Sequence, residues 1–184
     1  IPDDWARRLF DACEGTRFED VRDMAMLRLL WDSGGRRREV ANLRTENVRF
    51  ESLVALVTGK GNKIRAIPFT SETKRILKKY LTYQRPRHPD ADAPELWLGA
   101  NGPMRASGLR YVLDRRLRLA GLPHLHPHQF RATMAARYLA RGGSRTGLML
   151  LMGWETEQMV PYYVQAVETD LALAEYRRIG MDDV

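Results

Sequence analysis

The sequence predicts a mainly helical α+β fold with one small antiparallel sheet inserted early, on three observations. Apolar residues recur at helical spacing over most of the 184 residues. One stretch, 48–69, instead holds two short strand-like runs joined by Gly59-Lys60-Gly61-Asn62-Lys63, the pattern of a hairpin. The apolar fraction, 44%, is ordinary for a globular chain and argues against intrinsic disorder.

Each element follows from local pattern. Trp5, Leu9 and Cys13 lie four apart on a first helix. Met24, Leu27, Leu30 and Trp31 share one face of a second, which Ser33-Gly34-Gly35 breaks. A short amphipathic helix should follow, with Val40 and Leu43 inward. Residues 53–57 and 64–69 read as paired strands, the second ending near Pro68, and 48–50 is a candidate third. Thr70 or Ser71 can cap a helix whose apolar face is Ile76, Leu77, Tyr80 and Leu81. Residues 85–94 hold three prolines and read as a surface connection within one domain. Leu109, Val112, Leu113 and Leu117 mark the next helix, and 127–141, 146–152 and 168–179 complete the order.

Charge narrows the partners. With 30 Lys+Arg against 23 Asp+Glu the net charge is +7, which favours an anionic partner, nucleic acid first. The longest apolar run, 148–152, is far too short to cross a bilayer, and no secretory signal pattern opens the chain. The first residue is Ile rather than Met, so a fragment lacking an upstream domain is expected. One cysteine, Cys13, cannot close an intramolecular disulfide and fits a reducing compartment. A cytoplasmic, nucleoid-associated location is the expectation.

Four segments carry residue types suited to chemistry: Ser33-Gly34-Gly35-Arg36-Arg37-Arg38-Glu39, Gly59-Lys60-Gly61-Asn62-Lys63, Pro127-His128-Gln129-Phe130-Arg131, and Leu151-Met152-Gly153-Trp154 with Tyr163 nine residues later. Taken singly, each has a bland reading. An arginine triplet is usually a solvated face. Gly-Lys-Gly lacks the spacing of a nucleotide-binding P-loop. His128 and Arg131 merely share a helix face, and a tryptophan near a tyrosine is usually core. His124-x-His126-x-His128 hints at a metal, but no cysteine pair accompanies it and Pro123 and Pro127 interrupt the run, so no metal is expected.

Taken together, their order and spacing resemble the catalytic domain of the tyrosine recombinases, the phage-type integrases, over nearly the whole chain. Arg36 falls on the family's first catalytic arginine and Glu39 on its acidic partner. Lys60 lies 24 residues on, in the hairpin that carries the family's lysine. His128-x-x-Arg131 matches the H-x-x-R box, Leu151-Met152-Gly153-Trp154 the L-L-G-H box, and Tyr163 the nucleophile. The chain departs from the pattern in Gly35 and Arg37 beside the first arginine, in Ala132 after the second, in Trp154 for the commoner histidine, and in Tyr162 next to the nucleophile.

The resemblance implies a DNA breaking-rejoining fold occupying 1–184 as one catalytic domain, with the N-terminal core-binding domain outside it. It implies transesterification at a DNA phosphodiester through a 3′-phosphotyrosyl bond, needing no cofactor. Arg36 and Arg131 would hold the non-bridging oxygens with guanidinium forks that stay charged at any working pH. Tyr163 would attack, helped by surrounding positive charge. His128 would accept or relay its proton. Lys60, or Lys63 on the same turn, would protonate the leaving oxygen. Trp154 would donate to phosphate from its indole N–H and pack around the nucleophile, and Glu39 would hold the cations in place. Arg37, Arg38, Arg105, Arg110 and Arg115 would track double-stranded DNA phosphates. The last helix, with Leu171, Leu173, Ala174 and Tyr176, reads on its own as one packed on its own core, whereas the resemblance implies that it docks on a neighbouring protomer, giving a homotetramer by helix exchange. A type IB topoisomerase and a catalytically inactive DNA-binding module are the competing readings.

Overall fold

The computed structural model describes residues 1–180, apart from the side chains of Lys60, Glu157, Tyr162, Tyr163 and Ala166. Helix α1 (Asp3–Asp11) buries Ala6, Leu9 and Phe10 against α2 (Phe18–Ser33), around which the rest is built. Val21, Ala25, Met26, Leu27, Leu29, Leu30 and Trp31 of α2 are all buried. The one-faced stripe expected from the sequence is therefore too narrow: Met24, assigned to it, is only partly covered, while Met26 and Leu29 are enclosed. The reason is that the helices Ser71–Lys79 and Pro127–Ala140 also pack on α2.

Gly34 ends α2 in the left-handed region, φ 57°, its N–H donating to the Leu30 carbonyl at 3.0 Å. A Cβ there would stand 3.0 Å from Met152 Cε and 3.2 Å from Met134 Cβ, a close fit that adds to the preference for glycine at this positive φ. Short helix α3 (Arg37–Ala41) follows and buries Val40, with Leu43 buried just beyond it.

A sheet of order β1-β2-β3 comes next, formed by β1 (Val48–Arg49), β2 (Val54–Thr58) and β3 (Ile64–Pro68), all antiparallel. Ala55 pairs with Ile67 and Val57 with Arg65. Alternation buries Ala55, Val57 and Ile67, and places Arg65 on the same face as Ile67. Ile64, on the other face, is 71% exposed.

Thr70 caps α4 (Ser71–Lys79), its Oγ1 accepting from the Thr73 N–H at 3.3 Å. Asp32 at the end of α2 accepts from the Thr70 N–H and from both threonine hydroxyls at 2.6–2.9 Å, fixing α2 to α4. The expected continuation of α4 through Leu81 instead widens into a π-turn, Tyr80–Gln84. It sets the buried Tyr80 ring 5.7 Å from Trp97, with its hydroxyl accepting from the Leu98 N–H. The proline-rich connection holds a 3₁₀ turn, Arg85–Arg87, and the buried Arg85 guanidinium donates to the carbonyls of Ala91, Ala93 and Glu95. A ribbon of β4 (Leu98–Gly99) and β5 (Gly102–Pro103) follows; strands of two residues carry no readable period, and the sequence gives no hint of them.

Helices α5 (Ala106–Leu119), α6 (Pro127–Ala140), α7 (Arg145–Met152) and α8 (Tyr162–Ile179) complete the chain. The last begins at Tyr162 rather than at 168, because Val164, Val167 and Leu171 form one apolar stripe against the core from its first turn onward. Apolar packing divides in two. The larger cluster surrounds α2 and ends on α6 at Phe130. The smaller holds Met134, Ala135, Leu139, Leu148, Met152, Trp154, Val160 and Val164. Among the described residues no helix is long and apolar enough to cross a membrane.

The larger body also encloses a set of charges. Asp23, wholly buried, accepts from Arg22 at 2.7 Å, Arg115 at 2.8 Å and Arg116 at 2.8 Å. Arg116 reaches Asp20 at 3.0 Å as well, and donates to the Ala12 carbonyl.

Candidate active site

The site starts where α2 stops. The turn at Gly34 and Gly35 delivers Arg36 as the residue before α3, and its backbone N–H donates to Glu39 Oε2 at 2.8 Å. The Arg36 Nη1 donates to Glu39 Oε1 at 2.9 Å while the side chain stays 42% exposed. Glu39 itself is buried, and a second guanidinium holds it. Arg65 of β3 donates from Nη2 to Oε2 at 2.6 Å, with Nε 3.4 Å from Oε1. Its remaining Nη1 donates to the Leu151 carbonyl in α7.

Burial alone would raise the Glu39 carboxyl. Hydrogen bonds from Arg65 and from the Arg36 backbone, the charge of Arg65 and the hydrogen bond from the Arg36 side chain outweigh it and hold the group below the ordinary glutamate range. A depressed carboxylate stabilises the fold at neutral pH, and that share is lost as pH falls through the lowered value. Thermal melts across the acid range are expected to show a shallower loss for Glu39→Gln than for wild type.

The second arginine comes from α6. Pro127 occupies the first helical position, and Gln129 Oε1 accepts from the His126 N–H at 2.7 Å, so the helix start is fixed. One turn in, Arg131 is buried, donating to the Gly34 carbonyl at 2.9 Å and to the Met152 carbonyl. Its guanidinium lies over the Trp154 ring, 5.4 Å from the centroid. Because Arg131 is tied to Gly34, two residues before Arg36, both arginines line one cleft of about 320 Å³, together with Arg37, Arg110 and His128.

The third part closes α7. Gly153 takes φ 63°, and a Cβ there would stand 2.9 Å from Arg65 Cδ. It sends Trp154 back into the smaller core, where its N–H donates to the Met149 carbonyl at 2.9 Å. Arg36 also lines an adjoining cleft of about 550 Å³ with Lys63, Arg65, Gly153 and Glu155, below the hairpin tip. There Lys63 and Glu155 form an exposed pair at 2.5 Å. Lys60 sits in the hairpin turn and Tyr163 in the first turn of α8; the side chains of both, and of Tyr162, lie outside the described residues.

The five outlying arginines separate. Arg37 and Arg110 reach the shared cleft, Arg110 with its Nε 2.8 Å from Asp114 and its guanidinium against His124 and His126. Arg38 is exposed on α3. Arg105 and Arg115 line another cleft, with Arg22 and Tyr111, and Arg115 spends one Nη on buried Asp23. Sequence reading missed Arg65. The available signal was an arginine in phase with Ile67 on the inward side of a strand, a place that requires a buried carboxylate partner.

Comparison with known proteins identifies the family and the fold. The model of the phage integrase family matches residues 1–169. Over 147 residues the chain is 34% identical to the tyrosine recombinase XerC of Staphylococcus carnosus, covering 79% of this chain and 49% of that protein. Among solved structures, a XerA recombinase superposes with a TM-score of 0.78 at 23% identity, covering all of this chain and 64% of its own. The Tn1549 transposon integrase in complex with circular intermediate DNA gives 0.74 at 20%, covering 97% and 66%. At such identities the two structures speak for the fold alone. The chain spans about half the length of the curated relatives it matches.

Proposed function

Because the chain belongs to the phage integrase family of tyrosine recombinases, we propose that it is the catalytic part of a site-specific recombinase that cuts and rejoins duplex DNA. The observation that carries this is the single cleft shared by Arg36, Arg131 and His128, drawn from two distant parts of the chain. Two fixed guanidiniums about one pocket suit a phosphate whose non-bridging oxygens gain charge during attack.

In the proposed reaction the Tyr163 oxygen bonds to phosphorus as the bond to the 5′-oxygen breaks. The phenol proton passes to His128 or water, and Lys60 gives a proton to the departing 5′-oxygen. One phosphate ester replaces another, so the strand is resealed by the reverse step without an outside energy source. Trp154 packs beneath Arg131 and its indole N–H serves the phosphate. Lys63, engaged with Glu155, is the second choice for the acid. Arg37 and Arg110 beside the cleft, with Arg38, Arg105 and Arg115 further out, follow the duplex backbone.

We place residues 1–184 in one catalytic domain. The relatives' greater length fits an enzyme with a further helical domain that clamps the duplex. The outer half of α8 leaves Leu173, Tyr176 and Ile179 about half exposed, which supports docking on a neighbouring protomer and a homotetramer on DNA. Action on nucleoid DNA in the cytoplasm follows from the same reading.

The test is covalent capture. A pool of nicked duplexes with randomised cores is incubated with the full-length protein, SDS-resistant adducts are recovered, and their peptides are mapped. The DNA is expected on Tyr163 and the recovered cores to share a sequence. No adduct, or one on Tyr162, defeats the assignment. Relaxation of arbitrary supercoiled plasmid without strand exchange would move it to a topoisomerase.

A further inference from the structure

Resting on that reading of the cleft, we propose that Arg65 is a positioning residue of the phosphate site, holding Glu39 from the hairpin side so that Arg36 remains a surplus cation. The argument is one of charge and reach. Arg36, Glu39 and Arg65 form a row in which one carboxylate lies between two guanidiniums, at 2.9 Å and 2.6 Å. Its sum is +1. The neighbouring Lys63 and Glu155 cancel each other.

The two guanidiniums are not equivalent. Arg65 is 13% exposed in its side chain, and all three of its donor nitrogens face Glu39 or the Leu151 carbonyl. Three of its five N–H groups are thus spent inside the protein, and its low exposure leaves it the poorer ligand of the two. Arg36 is 42% exposed and commits only Nη1 to Glu39. So Arg65 absorbs the carboxylate's charge, and Arg36 keeps donors for the cleft. Without Arg65, Glu39 and Arg36 would form a neutral pair, with Arg36 drawn toward the carboxylate and away from any anion. An arginine is needed rather than a lysine because one planar fork serves a carboxylate and a carbonyl on different elements.

The same side chain aligns three segments. It fixes the hairpin strand to the start of α3 through Glu39 and to the end of α7 through Leu151, and Gly153 lies flat against its Cδ. The hairpin that carries Lys60, the helix start that carries Arg36 and the turn that carries Trp154 therefore share one reference point.

The test reads anion affinity first and cleavage second, in the full-length protein. Inorganic phosphate is titrated against wild type, Glu39→Gln, Arg65→Met and the double variant Arg65→Met/Glu39→Gln, with bound phosphate followed by NMR. Removing one unit charge beside the cleft is expected to weaken phosphate binding about tenfold in Arg65→Met. The double variant, which restores the +1 sum, is expected to return to within about threefold of wild type, and Glu39→Gln alone to bind more tightly than wild type. A purely structural arginine would lower the melting temperature in Arg65→Met and leave the phosphate affinity of the folded protein unchanged, and Glu39→Gln would not tighten it. Unchanged affinity in Arg65→Met, or a double variant no better than the single, overturns the proposal. If Arg65→Met does not fold, Glu39→Gln decides, since affinity at or below wild type overturns it equally. In the second arm, the rate of adduct formation at saturating duplex is expected to fall in Arg65→Met while the Kd for duplex moves little. A phosphate series that behaves as described in a protein forming no adduct would remove the recombinase reading and leave the role of Arg65 standing.

Discussion

Arg131→Lys is expected to slow formation of the covalent adduct by about 10²–10³-fold at saturating DNA, the range seen when one fixed donor to a developing oxyanion is lost. The charge survives this change but the geometry does not. The Arg131 fork donates at once to the Gly34 carbonyl and the Met152 carbonyl while it lies over the Trp154 ring and lines the cleft. An ammonium on a flexible stem cannot reach two carbonyls on separate elements and still face a phosphate. Each buried carbonyl left without a donor costs about 1–3 kcal/mol, so the variant should also melt earlier. Single-turnover kinetics on the captured duplex, with melting measured alongside, separates the two effects. Adduct formation within threefold of wild type would show that Arg131 does not touch the reacting phosphate.

Asp23→Ala should be the most damaging change to stability outside the site. The Asp23 carboxylate is wholly buried and accepts from three guanidiniums. Deleting one partner of a buried ion pair costs about 3–5 kcal/mol, because the remaining charge keeps its desolvation penalty without its compensation. Arg22 and Arg116 are themselves buried, so the penalty falls on both. For a chain of this size that corresponds to a loss of roughly 10 °C in Tm. Denaturant unfolding checks it. Phosphate affinity of the folded fraction should not change, since none of these side chains lines the cleft of Arg36 and Arg131.

The contrast between these two residues shows what the sequence made legible. Arg131 stands out through the motif resemblance that also singles out Arg36, His128 and Trp154, and the fold brings Arg36, His128 and Arg131 to one cleft. Asp23 does not stand out. An acidic residue in a helix reads as a solvent-facing position, and only the packing of α5 on α2 turns it inward toward Arg115 and Arg116. Arg65 lies between these cases, since its strand was recognisable but its carboxylate partner lies on another element. The helices were readable wherever one face alone is buried, as in α5, and poorly readable in α2, where enclosure on several sides erases the stripe. The early start of α8 escaped for the opposite reason: the stripe is present but sits beyond a proline that resembles a loop.

The division of the apolar interior has a consequence for motion. Helix α7, the Trp154 turn and α8 share an apolar cluster with the outer half of α6, apart from the cluster around α2, and are joined to the rest by polar ties such as that of Arg65 to the Leu151 carbonyl. A small appended unit of this kind opens at a lower free energy than the body that carries it. Arg36 is held to the larger body through Glu39, Arg131 joins the two through the Gly34 and Met152 carbonyls, and the backbone of Tyr163 lies in the smaller unit. On the proposed reading, the segment that bears the attacking phenol is thus the least firmly held part of the chain, and the cleft of Arg36 and His128 rests on a stiffer base.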